Sequence, residues 1–176
     1  HTTSILMRFT IKGRKGTVFR IGDNTNKGGG GIFISGSGGK IIHNNIDGNR
    51  MVMDGGPDFY FGGGLLAYVH NNHSAVIRDN TVRDNYATAK YVDGGGMALL
   101  GGRILCERNL VTHNTADAIS WVYGGGVYYA HYPHISYEGV IEEVCIRSNT
   151  ICHNTSVSTD DGGGGGVYTQ QYGFNQ

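Results

Sequence analysis

Residues 94–114 read GGGMALLGGRILCERNLVTHN, and the two motifs they hold recur along the chain in fixed order. The first is a glycine triplet followed by an apolar residue, here Gly94-Gly95-Gly96-Met97. It returns as Gly29-Gly30-Gly31-Ile32, Gly62-Gly63-Gly64-Leu65, Gly124-Gly125-Gly126-Val127 and Gly164-Gly165-Gly166-Val167, with successive starts 33, 32, 30 and 40 residues apart. The second is Asn-x-(Ile/Val)-x-x-Asn, here Asn109-Leu110-Val111 to Asn114. Its other copies run from Asn44 through Ile46 to Asn49, from Asn80 through Val82 to Asn85, and from Asn149 through Ile151 to Asn154. Phe9-Thr10-Ile11 reads as an incomplete earlier copy. A repeat of this length implies stacked units, none of which buries its apolar side alone.

Each unit is too short and too rich in glycine and β-branched residues for a helix pair. Before each Asn motif lies a strand-like run in which Ile41, Ile77, Cys106 and Ile146 share one side by period-2 alternation. Ile46, Val82, Val111 and Ile151 take the matching inward slot after the turn, and Ile32/Ile34, Leu65/Ala67, Met97/Leu99 and Val127/Tyr129 do so after the glycines. Three short strands per unit make a solenoid coil. Stacked coils lie ~4.8 Å apart, so an Asn at one slot of every coil can donate to the next and accept from the previous, as in Asn ladders. Asn44, Asn80, Asn109 and Asn149 are the expected inner ladder. The second Asn of each motif is expected to serve the following turn, where Asn also tolerates left-handed geometry. The glycine triplets suit a corner that needs positive φ and close approach of coils.

These motifs resemble right-handed parallel β-helix proteins, the pectin-lyase-like superfamily. The GGG-(Ile/Leu/Met/Val) and (Ile/Val)-x-x-Asn pair is similar to the GGA(I/L/V) and FxxN repeats of polymorphic outer-membrane proteins, with Ile or Val in place of Phe. The expected fold is therefore all-β: one right-handed parallel β-helix domain over residues 1–176, of about five coils with three short strands each. The resemblance implies polysaccharide lyases, hydrolases and epimerases as well as non-catalytic adhesins and tailspike-like proteins, so fold alone does not select an activity.

Composition agrees with a glycine-cornered β-protein: 31 glycines in 176 residues disfavour helices, and their clustering excludes collagen. With 14 basic and 14 acidic side chains the net charge is zero, which removes the electrostatic basis for nucleic-acid binding. No apolar run reaches the ~18 residues of a membrane span. Cys106, Cys145 and Cys152 cannot all pair with one another and form no CxxC, so compartment is not legible from cysteine. The chain starts at His1 without a signal-peptide pattern, and both ends read as uncapped. It is expected to be a fragment of a larger assembly or a unit that stacks end to end.

The chemistry-bearing side chains are few. Asp54, Asp58, Asp93, Asp160 and Asp161 precede the glycine corners without sharing one slot, and no basic residue keeps a constant offset from them. They are turn formers first. No cofactor is expected, Ca²⁺ being the one such corners could hold. Stacking the Asn motifs brings Asp84, His113 and His153 into one column, a candidate transition-metal or proton-shuttling site. Arg78, Glu107 and Arg147 fall at one outward slot as a structural charge column. Cys106 is expected in the core. Catalytic candidates, for an enzyme fragment, are Asp93, Asp160 and Asp161 with His113 or His153. Aromatic residues are more coherent: Phe59, Tyr60, Phe61, Tyr91, Trp121 and Tyr123 enter the glycine corners, and Tyr128 follows one. Such rings suit sugar faces and wet interfaces; the competing expectation is that the loops bury their own rings. The function expected is a non-catalytic extracellular or cell-surface module, adhesin-like or a structural fibre segment, whose partner is a glycan or surface protein. The alternative is a fragment of a polysaccharide lyase or hydrolase.

Overall fold

A computed structural model describes residues 4–21, 23–36, 38–70, 73–131 and 143–171. Within them the chain is a parallel β-solenoid without helix. The strand before the first Asn turn of each coil contributes to a first sheet: Ile5–Met7, Lys40–Ile42, Ser74–Arg78, Arg103–Glu107 and Glu143–Arg147. The strand between the two Asn slots builds a second: Thr10–Lys12, Asn45–Asp47, Thr81–Arg83, Leu110–Thr112 and Thr150–Cys152. The strand after the glycines builds a further sheet, here the fourth: Ile32–Gly36, Leu65–Val69, Met97–Leu100, Val127–His131 and Val167–Gln171. Five stacked strands bound about four turns rather than about five.

The sequence reading of three strands per coil lacked one. The segments before the glycine corners are strands, not loops, and form a third sheet through Asn24–Gly28, Phe59–Phe61, Tyr86–Asp93, Thr115–Tyr123 and the pair Thr155–Ser158 and Asp161–Gly163. Thr17–Ile21 pairs antiparallel with Asn24–Gly28 and closes this sheet as a hairpin.

Register matches the repeat residue for residue. Ile41, Ile77, Cys106 and Ile146 are successive partners, as are Ile46, Val82, Val111 and Ile151. They meet Leu65, Ala67, Met97, Leu99 and Val127 in one central core, which runs along the solenoid axis. A second buried cluster, with Tyr60, Ala87, Val92, Ala116 and Val122, lines the inner side of the third sheet.

The Asn ladder is present twice. Asn44, Asn80 and Asn109 each donate backbone N–H and Nδ2 to the Oδ1 of the Asn one coil on, ending at Asn149, at 2.8–3.1 Å. Asn49, Asn85, Asn114 and Asn154 form an identical second ladder at 2.9–3.1 Å. Left-handed geometry does not fall on these asparagines. It falls on the residue before each: His43, Asp79, Arg108 and Ser148 in one turn, Gly48, Asp84, His113 and His153 in the other, all at φ between 53° and 62°. Both ladders have a direction, and in the first coil Phe9 and Arg14 occupy the slots, donating only backbone N–H to Asn44 and Asn49.

The second ladder explains why the two motifs travel together. At one corner, Gly94 has φ of 81°. A Cβ on Gly95 would lie 2.7 Å from the backbone N of Ala116, and one on Gly96 2.9 Å from the Asn114 amide nitrogen. The third glycine is thus the space into which the ladder amide fits.

Candidate functional site

The third-sheet strands end at the glycine corners, and their last residues border a groove of about 300 Å³. Phe59, Tyr91 and Trp121 are register partners on successive coils. Their rings stack with centroids 4.3 and 4.9 Å apart, tilted by 28° and 39°. Two residues along, Phe61, Asp93 and Tyr123 form a parallel column. Gln170 from the fourth sheet and Ile21, Asn24 and Asn26 from the hairpin complete the lining. Trp121, 46% exposed at the end of the column, is the most open ring of the groove.

A bulge turns Tyr91 and Asp93 into this groove. In Tyr86–Asp93 the register slips between Ala89 and Tyr91. Ala87 and Ala89 face the interior, and strict alternation would send Tyr91 and Asp93 after them. The slip inverts the phase, so Val92 is interior while Tyr91 and Asp93 line the groove.

Asp93 is the unusual group. It is 7% exposed. Among the described residues its carboxyl has no hydrogen-bond or ion-pair partner, and burial alone pushes its pKa up to about 8. None of the lining residues is Lys or Arg. Lys90, beside Tyr91, lies 5.1 Å from that ring's centre and 3.8 Å from the Asp58 carboxylate. Burial first, then the nearby Asp161, raises the Tyr123 pKa, and Tyr123 Oη donates to Asp161 Oδ2 at 3.4 Å. A carboxyl that holds its proton near neutrality can donate a hydrogen bond, and the Asn and Gln amides around it both donate and accept.

The remaining expected site residues divide. Phe59, Tyr91, Trp121 and Tyr123 reach the groove, and Phe61 lines it though only 3% exposed. Tyr60 does not reach it: it is fully buried on the inner side of the third sheet and donates to the Val52 carbonyl at 3.1 Å. Tyr128 points outward as its alternation requires, but Phe61, Leu66, Tyr68 and their neighbours cover it to 1% exposure. Its hydroxyl donates to Oε1 of Gln170, a residue of the groove lining, at 2.9 Å. Tyr60, Tyr68 and Tyr128 are thus buried, while Trp121 stays exposed and Phe59, Tyr91 and Tyr123 half-buried along the third sheet.

The carboxylates before the corners disperse. Asp54 binds Lys27 at 3.0 Å, which holds its pKa below the usual value, Asp58 faces Lys90, and Asp160 and Asp161 are exposed on the last coil. His113 and His153 do stack, with centroids 5.1 Å apart and rings within 10° of parallel, and Thr112 Oγ1 lies 2.8 Å from His113 Nδ1. Asp84 occupies the adjoining coil, its N–H donating to the Thr112 carbonyl. These three sit at the start of the third-sheet strands, ~25 Å along Thr115–Tyr123 from the groove. The imidazoles therefore do not join Asp93. Among the described residues no cluster of three or more His, Cys, Asp or Glu is placed to hold a metal ion. Arg147 and Arg78 flank Glu107 at 2.8 and 3.6 Å, as the charge column requires, and chiefly Arg147 lowers the Glu107 pKa.

Ile21, Asn24, Asn26 and Gln170 belong to the groove without having been expected there. The hairpin did carry a signal, Gly22-Asp23 between two short strand-like runs. Comparison with family models, curated proteins and solved structures gives no match. Among the described residues no helix is long and apolar enough to cross a membrane.

Proposed function

We propose that this chain is a non-catalytic, extracellular or cell-surface β-solenoid module that binds glycan in the aromatic groove. The observation carrying this reading is the Phe59–Tyr91–Trp121 column beside Asp93, Asn24, Asn26 and Gln170 in one concave site. Apolar rings next to amides and a carboxyl match the mixed surface of a sugar, which has C–H patches and a fringe of hydroxyls. The volume is at the lower end of the ~300–1,000 Å³ usual for small-ligand sites, suited to a short segment of a chain that continues outside.

A glycoside hydrolase needs a second carboxyl group opposite the acid. Of Asp93, Asp160, Asp161, His113 and His153, only Asp93 lines the groove, which favours binding over cleavage.

The test is passage of the purified chain over immobilised neutral and acidic polysaccharides, with new reducing ends and unsaturated products measured in the eluate. Retention that Trp121→Ala abolishes, without cleavage, supports the module. Cleavage dependent on Asp93 would replace it with the enzyme.

A further inference from the structure

We propose that the groove selects uncharged sugars and that Asp93 grips them by donating a hydrogen bond from its carboxyl to a ligand oxygen. This rests on the reading of the groove as a glycan site and names the ligand class and the gripping residue. Asp93 is more than nine-tenths buried, lines the groove, and has no partner within the described protein. Its carboxyl is therefore free to take a partner from the groove it lines. A ligand carboxylate would have to shed its water in a groove with no Lys or Arg in the lining to neutralise it. Uronate-bearing chains are thereby disfavoured and neutral chains accepted.

The surroundings of Asp93 set its pH response. The third sheet brings Tyr91 and Tyr123 beside it, with Asp161 on the Tyr123 hydroxyl and Lys90 at Tyr91. From the fourth sheet come Gln170, and Tyr168 stacked on Tyr123 at 4.4 Å. The hairpin supplies Ile21, Asn24 and Asn26, none ionisable. No cation in this set faces the carboxyl, so burial keeps it protonated until about pH 8. Above that the donor is lost and a buried charge replaces it. At pH 9.5 about 3% of the carboxyl stays protonated, so the apparent affinity of the wild type falls about 30-fold relative to pH 6.5.

The chain's single tryptophan is Trp121, at the groove, so its fluorescence reports occupancy directly. The titrants are neutral gluco-, manno-, galacto- and xylo-oligosaccharides and their uronate counterparts, at pH 6.5 and 9.5, with circular dichroism confirming the fold at each pH. The wild type is expected to bind a neutral oligosaccharide, prefer it to the uronate, and weaken about 30-fold at high pH. Asp93→Asn, whose amide still donates, is expected to bind at both pH values alike, and Asp93→Leu at neither. If Asp93→Leu does not fold, the contrast between wild type and Asp93→Asn decides. Neutral-sugar binding that ignores pH in the wild type, or tighter binding of uronates, overturns this inference and leaves the glycan site standing. Absence of a saturable Trp121 response to every sugar at both pH values overturns both.

Discussion

Replacing Asn109 by alanine removes the middle of the inner ladder, and the loss can be worked out atom by atom. Asn109 Oδ1 accepts from the Asn80 backbone N–H and from Asn80 Nδ2, both at 3.0 Å. Asn109 Nδ2 donates to the Ile77 carbonyl at 2.9 Å and to Asn149 Oδ1 at 3.0 Å. Truncation strands the Asn80 N–H, an Asn80 amide proton and the Ile77 carbonyl in a region where Asn80 and Asn109 are each 2% exposed. At ~1–3 kcal/mol for each buried group left unpaired, partly offset by relaxation, the cost is about 3–6 kcal/mol. Asn149→Ala makes the useful contrast. Asn149 is only partly buried, so water can replace its bonds, and the cost should be about 1–2 kcal/mol. Urea unfolding followed by Trp121 fluorescence measures both, a lower midpoint at unchanged slope being the expected form. Equal losses at the two positions, or less than about 1 kcal/mol at Asn109, would refute the ladder as a source of stability.

Four further outcomes follow from the same geometry. Gly95→Ala places a methyl against backbone atoms of Thr115 and Ala116 that cannot move aside, so it should lower the thermal midpoint more than Gly13→Ala, where the space is open. Asp93 has a folded pKa of about 8, raised from 3.8, so the native state holds its proton more tightly than the unfolded chain. Its contribution is full below about pH 4 and lost as pH rises toward 8; Asp93→Asn should therefore flatten the stability profile between those limits in denaturant titrations, by several kcal/mol at ~1.4 kcal/mol per unit. Burial pushes the Cys106 thiol up to about 12, so a thiol reagent at pH 8 should modify Cys145 and Cys152 and reach Cys106 only on unfolding, as peptide mass mapping would show. Trp121→Ala removes an exposed ring at the end of its column, and should abolish glycan retention while changing stability by less than about 1 kcal/mol.

The ladder and the corners were legible because every coil repeats them. Asn44, Asn80, Asn109 and Asn149 occupy a slot defined by local alternation, and each interacts with the next copy of itself. A repeat spacing together with the ~4.8 Å step between strands therefore yields their partners without any tertiary information. The pairing of Ile41, Ile77, Cys106 and Ile146 follows for the same reason. The left-handed residue lies one position before each ladder asparagine. Asn tolerates that geometry best, yet here it serves as the ladder, and His43, Asp79, Arg108 or His153 takes the turn.

The groove depended on features that do not repeat. A register slip between Ala89 and Tyr91 decides that Asp93 faces outward, and alternation read along the strand points it the other way. Tyr60 and Phe61 are adjacent in sequence, but one is interior and the other lines the groove. Tyr128 is outward yet covered, because Phe61, Leu66 and Tyr68 of other coils pack over it. The raised pKa of Asp93 belongs to none of its sequence neighbours; it comes from the low-dielectric site that several coils and a hairpin enclose. What each coil does to the next, namely the stacking, the inward faces and the asparagine slots, follows from the repeat alone. Which side chains of distant coils share a cavity follows instead from a bulge, a hairpin and the side chains lying over one sheet, none of which obeys the period.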